Sequence, residues 1–398
     1  MKFAHLADCH MGGWRDPRLR DANAKSFKLA IDTCINEKVD FVLIAGDLFN
    51  TAVPAIDSLR IVVEQLKRIK DAQVPVYFIA GSHDCSPSGK SMLDVIEQAG
   101  LGINVAQGEE LEDGRFTLKF TTDPKTKTKI TGMIGKKGGL ETGYYCYLAK
   151  EHLEREQGPK IFLFHSAIAE LKPKELERMD AMACSMMPKG FDYYAGGHVH
   201  IVDCASLEQY KNIVYPGPVF PNSFSELEKL GKGSMVLVED WKIKNLPLVI
   251  HPIISIKVDA DKKAVSEVEK QIREALEKNL ANAIVTIRVQ GCLSQGRPAD
   301  LNWNDMLHTA YAKKAYAVLR NTNALLSKEL QITMVKETNV EELEDRLLQE
   351  HANQFKLSKD DVELARKLMH LLAVERADGE RVADFESRLH AEIDALVK

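Results

Sequence analysis

The first 105 residues alternate short apolar runs with longer segments in which apolar residues recur every three or four positions. A short apolar run is typical of a buried strand, and the longer period is typical of an amphipathic helix. This alternation predicts a sheet covered by helices. The predicted strands are residues 2–7, 39–45 and 74–80, and the predicted helices are residues 22–37, 54–70 and 90–99.

After residue 101 the apolar runs become shorter, and polar turns separate them. The segments FTLKFTT and KITGMIG flank the turn DPKTK, a pattern that predicts a β-hairpin. The sheet domain is expected to cover residues 1–250. Its other predicted elements are a helix at 145–157, a strand at 161–165, a methionine-rich loop and helix at 170–189, and short strands within NIVYPGPVFPNSF and GSMVLVED.

Two smaller units are predicted after the sheet domain. Residues 251–336 contain two strands that flank a helix at 261–279, then a helix at 302–317 and the strand KELQITMV. This order predicts a small α+β domain, which is long enough to form its own core. Residues 337–398 show only apolar stripes at helical spacing, which predict a helical tail.

Composition and charge narrow the class of protein. No run of about 18 apolar residues occurs, so no transmembrane helix is expected, and the N-terminus has no signal-peptide pattern. The chain has 7 cysteines and no CxxC pair, which argues against a disulfide framework and favours the reducing cytoplasm. The net charge is −5. Residues 337–398 contribute −7, and the first 336 residues contribute +2. A nearly neutral body with an acidic tail is compatible with a DNA enzyme whose tail binds a protein.

Residues that can bind metal ions stand where the predicted strands end. They are carboxylates and imidazoles close to glycines, which let the chain turn sharply and let a ligand approach the backbone. In a mostly parallel α/β sheet, ligand sites form at the carboxyl ends of the strands, so these side chains are expected to converge. The candidates are Asp8, His10, Asp47, His83, Asp84, His165, His198 and His200.

The candidate set indicates two metal ions rather than one. Carboxylates and imidazoles without thiolate favour Mn, Fe, Zn or Co over an all-oxygen Ca²⁺ or Mg²⁺ site. Two ions about 3.5–4 Å apart, bridged by one carboxylate, would use the whole set, lower the pKa of a bridging water and stabilise phosphoryl oxygens. The pattern therefore predicts hydrolysis of a phosphate ester. A single strand-end histidine is more often an ordinary loop residue, so the prediction depends on the ordered set. Cys9 and Cys85 lie beside candidates, but their side chains are expected to point to the opposite side.

Five segments, in order, resemble the motifs of the calcineurin-like metallophosphoesterases. The resemblance covers about residues 1–240 and implies a four-layer αββα sandwich with a dinuclear metal centre, followed here by a small α+β capping domain and a helical C-terminal tail. The five segments are DCH, GDLFN, GSHD, FLFHS and GGHVH.

The wider chain resembles one branch of this superfamily. That branch comprises the SbcD or meiotic-recombination-eleven type nucleases of DNA double-strand-break repair, in an archaeal-like form. The capping domain and the helical tail favour it, and so does Asn50, which stands where many phosphatases have a second acid. The segments that carry the resemblance to the branch are MKFAHLADCHMG, GDLFN and YPGPVFPNSFSE.

Carried over residue by residue, the resemblance implies a role for each candidate. Asp47 would bridge the two ions, His83 would protonate the leaving oxygen or stabilise the transition state, and Asp84 would orient and polarise His83. The implied ligands of the first ion are Asp8, His10, Asp47 and His200, and those that complete the second site are Ser82, His165 and His198.

Ser82 departs from the family pattern, because the family has asparagine at this position. An amide oxygen is a good hard ligand, whereas the hydroxyl of Ser82 is shorter and weaker. The departure is expected to lower the affinity for the second ion and the turnover rate.

The resemblance also implies cofactors and partners. Each subunit would bind two Mn²⁺ ions, with Mg²⁺, Co²⁺ or Fe²⁺ as alternatives. A homodimer would form through helices 54–70 and 90–99, unless their apolar stripes only cover their own sheet. An SMC-type coiled-coil ATPase would dock on the C-terminal helices, which could otherwise form a hairpin of their own. The expected location is the prokaryotic cytoplasm, in association with the nucleoid.

Contacts to DNA would have to come from dispersed basic residues, because the chain has no basic run. The cationic segment WRDPRLRD, expected to be a loop beside the metal site, is the leading candidate. Each basic residue could equally be an ordinary solvated side chain. The candidates are Arg15, Arg18, Arg20, Lys136 and Lys137, with Lys211 as a further one.

The leading hypothesis is a manganese-dependent DNA nuclease with double-strand exonuclease and single-strand endonuclease activity. One alternative is a phosphodiesterase for small or nucleotide substrates, although such an enzyme would not need the domains beyond residue 250. Another is a catalytically impaired scaffold, for which Ser82 is the only support.

Overall fold

The computed structural model describes most of the chain and divides it into two compact units. The units are Met1–Ser327 and Lys328–Lys398. The described residues are 1–86, 91–173, 179–328, 359–372, 374 and 382–397.

The strands of the described residues belong to two large sheets and two small ones. They are β1 (Lys2–Leu6), β2 (Phe41–Ala45), β3 (Val76–Ile79), β4 (Ile103–Asn104), β5 (Gly108–Glu110), β6 (Phe116–Leu118), β7 (Thr121–Thr122), β8 (Lys129–Gly132), β9 (Lys160–His165), β10 (Tyr193–Gly197), β11 (Val202–Leu207), β12 (Tyr210–Pro216), β13 (Gly233–Glu239), β14 (Lys242–Leu248), β15 (Ile253–Asp259), β16 (Ile284–Leu293) and β17 (Ala317–Ser327).

The α-helices of the described residues lie between these strands and in the second unit. They are α1 (Pro17–Asn36), α2 (Ile56–Asp71), α3 (Met92–Gln98), α4 (Glu141–Cys146), α5 (Glu151–Arg155), α6 (Phe224–Leu230), α7 (Val265–Ala275), α8 (Trp303–Ala312), α9 (Lys359–Leu372) and α10 (Val382–Val397).

Two six-stranded sheets form the core of the first unit. In the first sheet, β1 to β4 run parallel, β13 pairs antiparallel with β1, and β14 pairs antiparallel with β13. In the second sheet, β8, β9, β10 and β12 run parallel, and β7 and β11 are antiparallel edge strands. The largely parallel order brings the carboxyl ends of the central strands to one edge of each sheet.

The sheets pack face to face and carry helices on their outer faces. Phe3 of β1 meets Tyr193 of β10 edge to face, with ring centroids 5.2 Å apart, in a core that both sheets line. The outer face of the first sheet packs against α1, α2 and α3, for example through Phe27. The outer face of the second packs against α4 and α5, through Tyr145 and Leu153. These four layers confirm the expected αββα sandwich.

The cap, residues 253–327, has its own sheet and core. Strands β15, β16 and β17 run parallel, and α7 and α8 cover the sheet. A separate apolar cluster joins the cap to the sandwich: it includes Leu19 of α1 and Leu227 of α6, with Ile284 and Ala317 of the cap. The domain boundaries at 250 and 336 stay predictions, and the second of them lies outside the described residues.

Helix α1 begins earlier than the sequence pattern predicts. The side chain of Asp16 caps the helix by accepting a hydrogen bond from the backbone N–H of Arg18, at 2.7 Å. Pro17 stands at the first helical position, where its missing N–H and fixed φ are favourable. The expected loop WRDPRLRD is therefore wrong from Pro17 onward, and both Arg18 and Arg20 lie on the helix.

Three other predicted elements differ from the structure. The predicted helix at 145–157 is replaced by α4 and α5, because residues 147–149 pair with Phe116 instead of continuing a helix. The expected hairpin is split, since β6 pairs with β5 and β7 pairs with β8. The predicted helix at 302–317 ends with α8, where Lys314 has a left-handed φ of 62°, and β17 follows.

Some predicted elements lie partly or wholly outside the residues that the structure describes. In the methionine-rich segment 170–189, the described residues form short 3₁₀ turns and an isolated bridge between Met182 and Ile168, and residues 174–178 are not described. All of the predicted strand KELQITMV except its first residue lies outside the described residues. The first helical stripe of the tail lies wholly outside them. The second and third stripes of the tail correspond to α9 and α10.

Phe162 provides a test of the packing of the second sheet. Its side chain is fully buried and contacts the rings of Phe191 and Tyr194, with centroid distances of 5.4 and 6.3 Å. We expect Phe162→Ala to lower the free energy of unfolding by about 3–5 kcal/mol, because it removes a ring from a close-packed core. Urea denaturation measures the loss. The control Tyr147→Ala removes a side chain that is 60% exposed, and should change the value by less than about 0.5 kcal/mol.

Candidate metal centre

The carboxyl ends of strands from both sheets meet at one place. Asp8 follows β1 and Asp47 follows β2 in the first sheet, whereas His165 ends β9 and His198 follows β10 in the second. Backbone hydrogen bonds tie the loops together, from the N–H of His10 to the carbonyl of Asp47 at 2.9 Å and from the N–H of Asp8 to the carbonyl of Gly46 at 3.1 Å. The residues that the sequence spreads over 190 positions are thereby brought together.

Five of the candidate ligands have a left-handed backbone. The φ angles are 51° at Asp8, 42° at His10, 51° at Asp47, 95° at His198 and 53° at His200. Such angles are uncommon for residues other than glycine and store strain when they occur. Their concentration in one place shows that the surrounding fold fixes these side chains in directions that a relaxed loop would not favour.

One group of donor atoms gathers around Asp8 and His10. The Nε2 atoms of His10 and His200 lie 2.9 Å apart. The Asp8 Oδ1 atom lies 3.6 Å from Nε2 of His200, and Asp47 Oδ2 lies 3.6 Å from Nε2 of His10. Imidazole nitrogens and carboxylate oxygens at this spacing can converge on a single ion.

A second group gathers around His165. Its Nε2 atom lies 3.1 Å from Asp47 Oδ2, and Ser82 Oγ lies 3.4 Å from the same oxygen. The ring of His198 stands 5.2 Å from the ring of His165, measured between centroids. Asp47 Oδ2 thus belongs to both groups, which is the position that a bridging ligand requires.

The hydrogen bonds of the imidazoles fit metal binding. Nδ1 of His165 is 2.8 Å from the carbonyl oxygen of Ala45, to which it can donate, so Nε2 is the nitrogen that can bind a metal once it has lost its proton. That Nε2 atom is buried and has no hydrogen-bond partner among the described residues. A histidine whose second nitrogen is held by a carbonyl is the usual arrangement of a metal ligand. The residues present therefore fit two divalent ions.

The electrostatics of the centre favour cations. Burial raises the pKa of Asp47, but the charges of His165 and His10 outweigh it and hold the pKa well below its usual range. Burial lowers the pKa of His165, but Asp47 and Asp8 raise it to about 10. Burial likewise lowers the pKa of His200, and Asp8 and Glu226 raise it to about 9. Without metal, the protein therefore holds protons where cations would bind.

His83 and Asp84 occupy the site differently from expectation. The backbone N–H of His83 donates to Asp47 Oδ1 at 2.8 Å, and its Nδ1 atom lies 2.8 Å from the carbonyl oxygen of Asn50. Asp84 is buried and accepts hydrogen bonds from the N–H groups of Leu48, Phe49 and Gly81. The expectation that Asp84 orients the ring of His83 is therefore wrong. Asp84 fixes the loops after β2 and β3, and the carbonyl of Asn50 orients the ring.

Glu226 belongs to the site and was missed by sequence reasoning. Its Oε1 atom lies 3.1 Å from Nδ1 of His200, and its Oε2 atom accepts a hydrogen bond from the N–H of Asn222 at 2.8 Å. The pattern Ser223-x-x-Glu226 is a capping signature, and Ser223 does cap α6. That signature predicts the start of a helix, but it gives no sign that the carboxylate reaches a histidine.

The two cysteines beside the ligands face away from them, as expected. Cys9 is fully buried in the core between the first sheet and its helices, and Cys85 packs against the same core. Burial raises the pKa of Cys9 well above its ordinary value, so its thiol stays protonated.

Four of the basic candidates, Arg15, Arg18, Arg20 and Lys137, are exposed, whereas Lys136 is half-buried. Among the described residues, Arg15, Arg20 and Lys137 have no ion-pair partner. Arg18 lies over the ring of Tyr311 in the cap, 4.7 Å from its centroid, and Lys136 donates to the hydroxyl of Tyr144 at 2.6 Å. These two cations are therefore engaged in contacts within the protein.

The fold and the donor atoms define a metal-dependent phosphoesterase. The family model of the calcineurin-like phosphoesterases matches residues 1–202, about half of the chain. The chain belongs to the calcineurin-like phosphoesterase family. The sequence-based predictions of the family, the sandwich fold and the enzyme class are confirmed.

Relatives of the chain include archaeal proteins named DNA double-strand break repair protein Mre11. The protein of Archaeoglobus fulgidus is 24% identical over 296 residues, which are 69% of this chain and 65% of that protein. The protein of Methanococcus maripaludis is 27% identical over 291 residues, 69% of this chain and 73% of its own. The protein of Saccharolobus solfataricus is 22% identical over 394 residues, which are 93% of this chain and 94% of that protein. The match thus spans less than two thirds of the Archaeoglobus protein.

No helix among the described residues combines the length and the apolar character that a membrane-spanning helix needs.

Metal binding should release protons. At pH 7 the metal-free protein carries protons on His165 and His200, whose pKa values are raised to about 10 and about 9, and these must leave when the nitrogens bind metal. We expect release of up to about two protons per chain and an affinity for Mn²⁺ that falls as the pH falls from 8 to 6. Calorimetric titration in two buffers with different ionisation enthalpies measures the number of protons that are released. A binding enthalpy that is the same in both buffers would contradict the prediction.

Proposed function

We propose that this chain is a metal-dependent DNA nuclease of a double-strand-break repair complex, which hydrolyses phosphodiesters with a water activated by two metal ions. The observation that carries the proposal is Asp47 Oδ2, which lies within 3.6 Å of imidazole nitrogens from both donor groups. The names of the archaeal relatives support the choice of DNA as substrate. In this proposal residues 1–250 form the nuclease domain, residues 251–336 form a DNA-binding cap, and residues 337–398 form a partner-binding tail.

We propose the ligands from the two groups of donor atoms. Asp8, His10, Asp47 and His200 would hold one ion, and Ser82, His165 and His198 would complete the second site, with Asp47 as the bridge. When bound, two divalent ions lower the pKa of a water and neutralise the charge that develops on the phosphoryl oxygens. We propose Mn²⁺ as the ion, because mixed imidazole and carboxylate ligands suit it better than Mg²⁺.

His83 is proposed as the group that acts on the leaving oxygen. Its backbone is held by Asp47 and its Nδ1 atom faces the carbonyl of Asn50, so Nε2 is the nitrogen left for the substrate. An imidazolium at this place would donate a proton from Nε2 to the departing alkoxide. His83 also lies close enough to His10 and Asp47 to share a metal with them, and the ring centroids of the two histidines are 4.8 Å apart.

Partners are proposed from the exposed apolar side chains. Ile56 at the start of α2 is 82% exposed, and Val95 of α3 is 56% exposed, which supports a dimer through these two helices. In the second unit, α9 leaves Met369 and Leu372 exposed by 39% and 64%. These residues support docking of the tail on a coiled-coil ATPase of the SMC type, with the complex located at the nucleoid.

DNA contacts are proposed for the exposed basic residues near the site. Arg15 and Arg20 flank the start of α1, and Lys137 follows Gly135, whose backbone packs against the ring of His165. Arg18 and Lys136 would need to leave their aromatic partners to reach a phosphate, so they should contribute less to DNA binding. Each phosphate contact would add to the salt dependence of binding.

Ser82 sets the expected strength of the second site. We expect Ser82→Asn to tighten binding of the weaker Mn²⁺ ion by on the order of tenfold, because an amide oxygen reaches further than a hydroxyl; such a change corresponds to about 1.4 kcal/mol. Titration of free Mn²⁺ by electron paramagnetic resonance measures both affinities. Ser266→Asn, an exposed serine on α7, is the control and should leave them unchanged. Equal or weaker binding in Ser82→Asn would argue that Ser82 does not face the second ion.

Loss of His83 should strongly slow the cleavage of DNA. With Mn²⁺ and linear duplex DNA, we expect His83→Ala to cleave about 100- to 10,000-fold more slowly than wild type, because general acid catalysis contributes a factor of this size. The rate is measured from labelled DNA ends, and the hydrolysis of bis-p-nitrophenyl phosphate is measured in parallel. His152→Ala is the control, because this histidine of α5 contacts Thr117 and the carbonyl of Leu118 instead of the metal centre.

Three results would contradict the proposal in different ways. Cleavage of the small ester alone would favour a phosphodiesterase for small or nucleotide substrates. Binding of Mn²⁺ without activity on either substrate would favour an impaired scaffold. DNA cleavage that survives in His83→Ala would remove His83 from the mechanism.

A further inference from the structure

Helix α6 lies between the metal centre and the cap and carries an acid toward each. Glu226 contacts the imidazole of His200 through Oε1, at 3.1 Å from Nδ1. Two residues further on, Glu228 forms a two-pronged ion pair with Arg288 of β16, with distances of 2.9 Å from Nε and 2.6 Å from Nη2 to Oε2. One short helix is therefore joined to a candidate metal ligand and to the middle strand of the cap sheet.

The end of α6 that faces His200 is held firmly. Glu226 Oε2 accepts a hydrogen bond from the N–H of Asn222 at 2.8 Å, and Oε1 accepts one from the hydroxyl of Ser223 at 3.1 Å. Ser223 in turn caps the helix by accepting a hydrogen bond from the N–H of Glu226. With both oxygens held in this way, the carboxylate can fix the orientation of the imidazole instead of following it.

The contact has a definite consequence for His200. An acceptor at Nδ1 keeps the proton on that nitrogen and directs the lone pair of Nε2 toward His10 and Asp8. Carboxylates in this position orient metal-binding histidines and raise their basicity, and their removal usually weakens metal binding 10- to 100-fold.

The side of α6 that faces the cap is equally fixed. The side chain of Glu228 is only 5% exposed, and the guanidinium of Arg288 also lies over the ring of Phe224, 5.1 Å from its centroid. Leu227 is fully buried in the apolar cluster that joins the sandwich to the cap. A displacement of the cap would therefore move α6, or would have to break an ion pair that is largely buried on the side of Glu228.

We propose that Glu226 is a positioning residue for the metal ligand His200, and that α6 makes the affinity of this metal site depend on the placement of the cap. The proposal rests on the metal centre of the proposed function, but not on DNA as the substrate. His165 lacks such a link, because its Nδ1 atom contacts the carbonyl of Ala45 within the first sheet. The coupling is therefore specific to one of the two sites.

The first arm of the test removes the carboxylate of Glu226 in the full chain. Mn²⁺ binding is followed by electron paramagnetic resonance and calorimetry, with no substrate present. We expect Glu226→Ala to weaken one of two Mn²⁺ sites 10- to 100-fold and to leave the other within twofold. Glu226→Gln, which keeps an acceptor oxygen within reach, should recover most of the affinity.

A matched control separates positioning from helix capping. Glu267 stands at the same position of α7, a helix of the cap that carries no candidate metal ligand, and accepts a hydrogen bond from the N–H of Ala264 at 2.8 Å. Glu267→Ala should lower the melting temperature of the metal-free protein about as much as Glu226→Ala, and should leave both Mn²⁺ affinities unchanged. If the two variants bind Mn²⁺ equally well at both sites, the role of Glu226 is overturned.

The second arm breaks the ion pair with the cap. Arg288→Met and Glu228→Gln should each weaken the same Mn²⁺ site several-fold, while Arg273→Met, which removes an ion pair to Asp305 inside the cap, should not. In the Glu226→Ala background, Arg288→Met should have no further effect, because its influence passes through Glu226. An equal effect of Arg288→Met in both backgrounds would overturn the coupling.

The outcomes also separate this inference from the proposed function. A wild-type chain that binds no Mn²⁺ would overturn the metal centre, and the role of Glu226 with it. A wild-type chain that binds two Mn²⁺ ions but shows no DNA cleavage would contradict only the nuclease proposal. Selective loss of one site in Glu226→Ala, with recovery in Glu226→Gln, would support the inference in either case.

Discussion

The structure depends on the burial of one carboxylate where the two sheets meet. Asp47 is only 2% exposed, and transfer of an unpaired carboxylate to such a place would cost several kcal/mol. The cost is offset by the imidazoles of His165 and His10 and by the N–H of His83. Each partner comes from a different strand end, so the carboxylate is stable only when both sheets are assembled. The chemistry of the site and the assembly of the sandwich therefore share one requirement.

Close packing of the loops follows from this requirement. A Cβ atom on Gly81 would lie 2.2 Å from Asp47 Oδ1, and one on Gly197 would lie 2.2 Å from the carbonyl oxygen of Ala45. No side chain fits at such distances, so glycine is needed for the loops to approach. Asp84 completes the arrangement, because its three backbone hydrogen bonds join the loop after β2 to the loop after β3. The position of Asp47 is thus fixed by neighbours that are not themselves proposed metal ligands.

The sequence pattern was sufficient for the features that depend on strand ends. Apolar runs locate β1, β2, β3 and β9, and parallel order then brings the polar residues after them together, because the carboxyl ends of parallel strands share an edge. The pattern could not locate Glu226, since its contact with His200 depends on where α6 packs. The pattern also could not predict which groups Arg18 and Asp84 contact. The side chain of Arg18 is engaged by Tyr311, far away along the chain, and that of Asp84 is engaged by backbone groups that carry no sequence signal.

The two donor groups differ in what supports them, and this difference has consequences for the enzyme. Nδ1 of His165 faces a carbonyl of β2, and β2 is buried along its whole length inside the sandwich. His200 faces a carboxylate of α6, which packs between the sandwich and the cap. A support inside a close-packed sheet can change little without unfolding, whereas a support at an interface between two cores can respond when those cores shift. In a two-ion mechanism both ions must be present for the reaction, so the site with the adjustable support is the one through which a neighbouring domain can control catalysis.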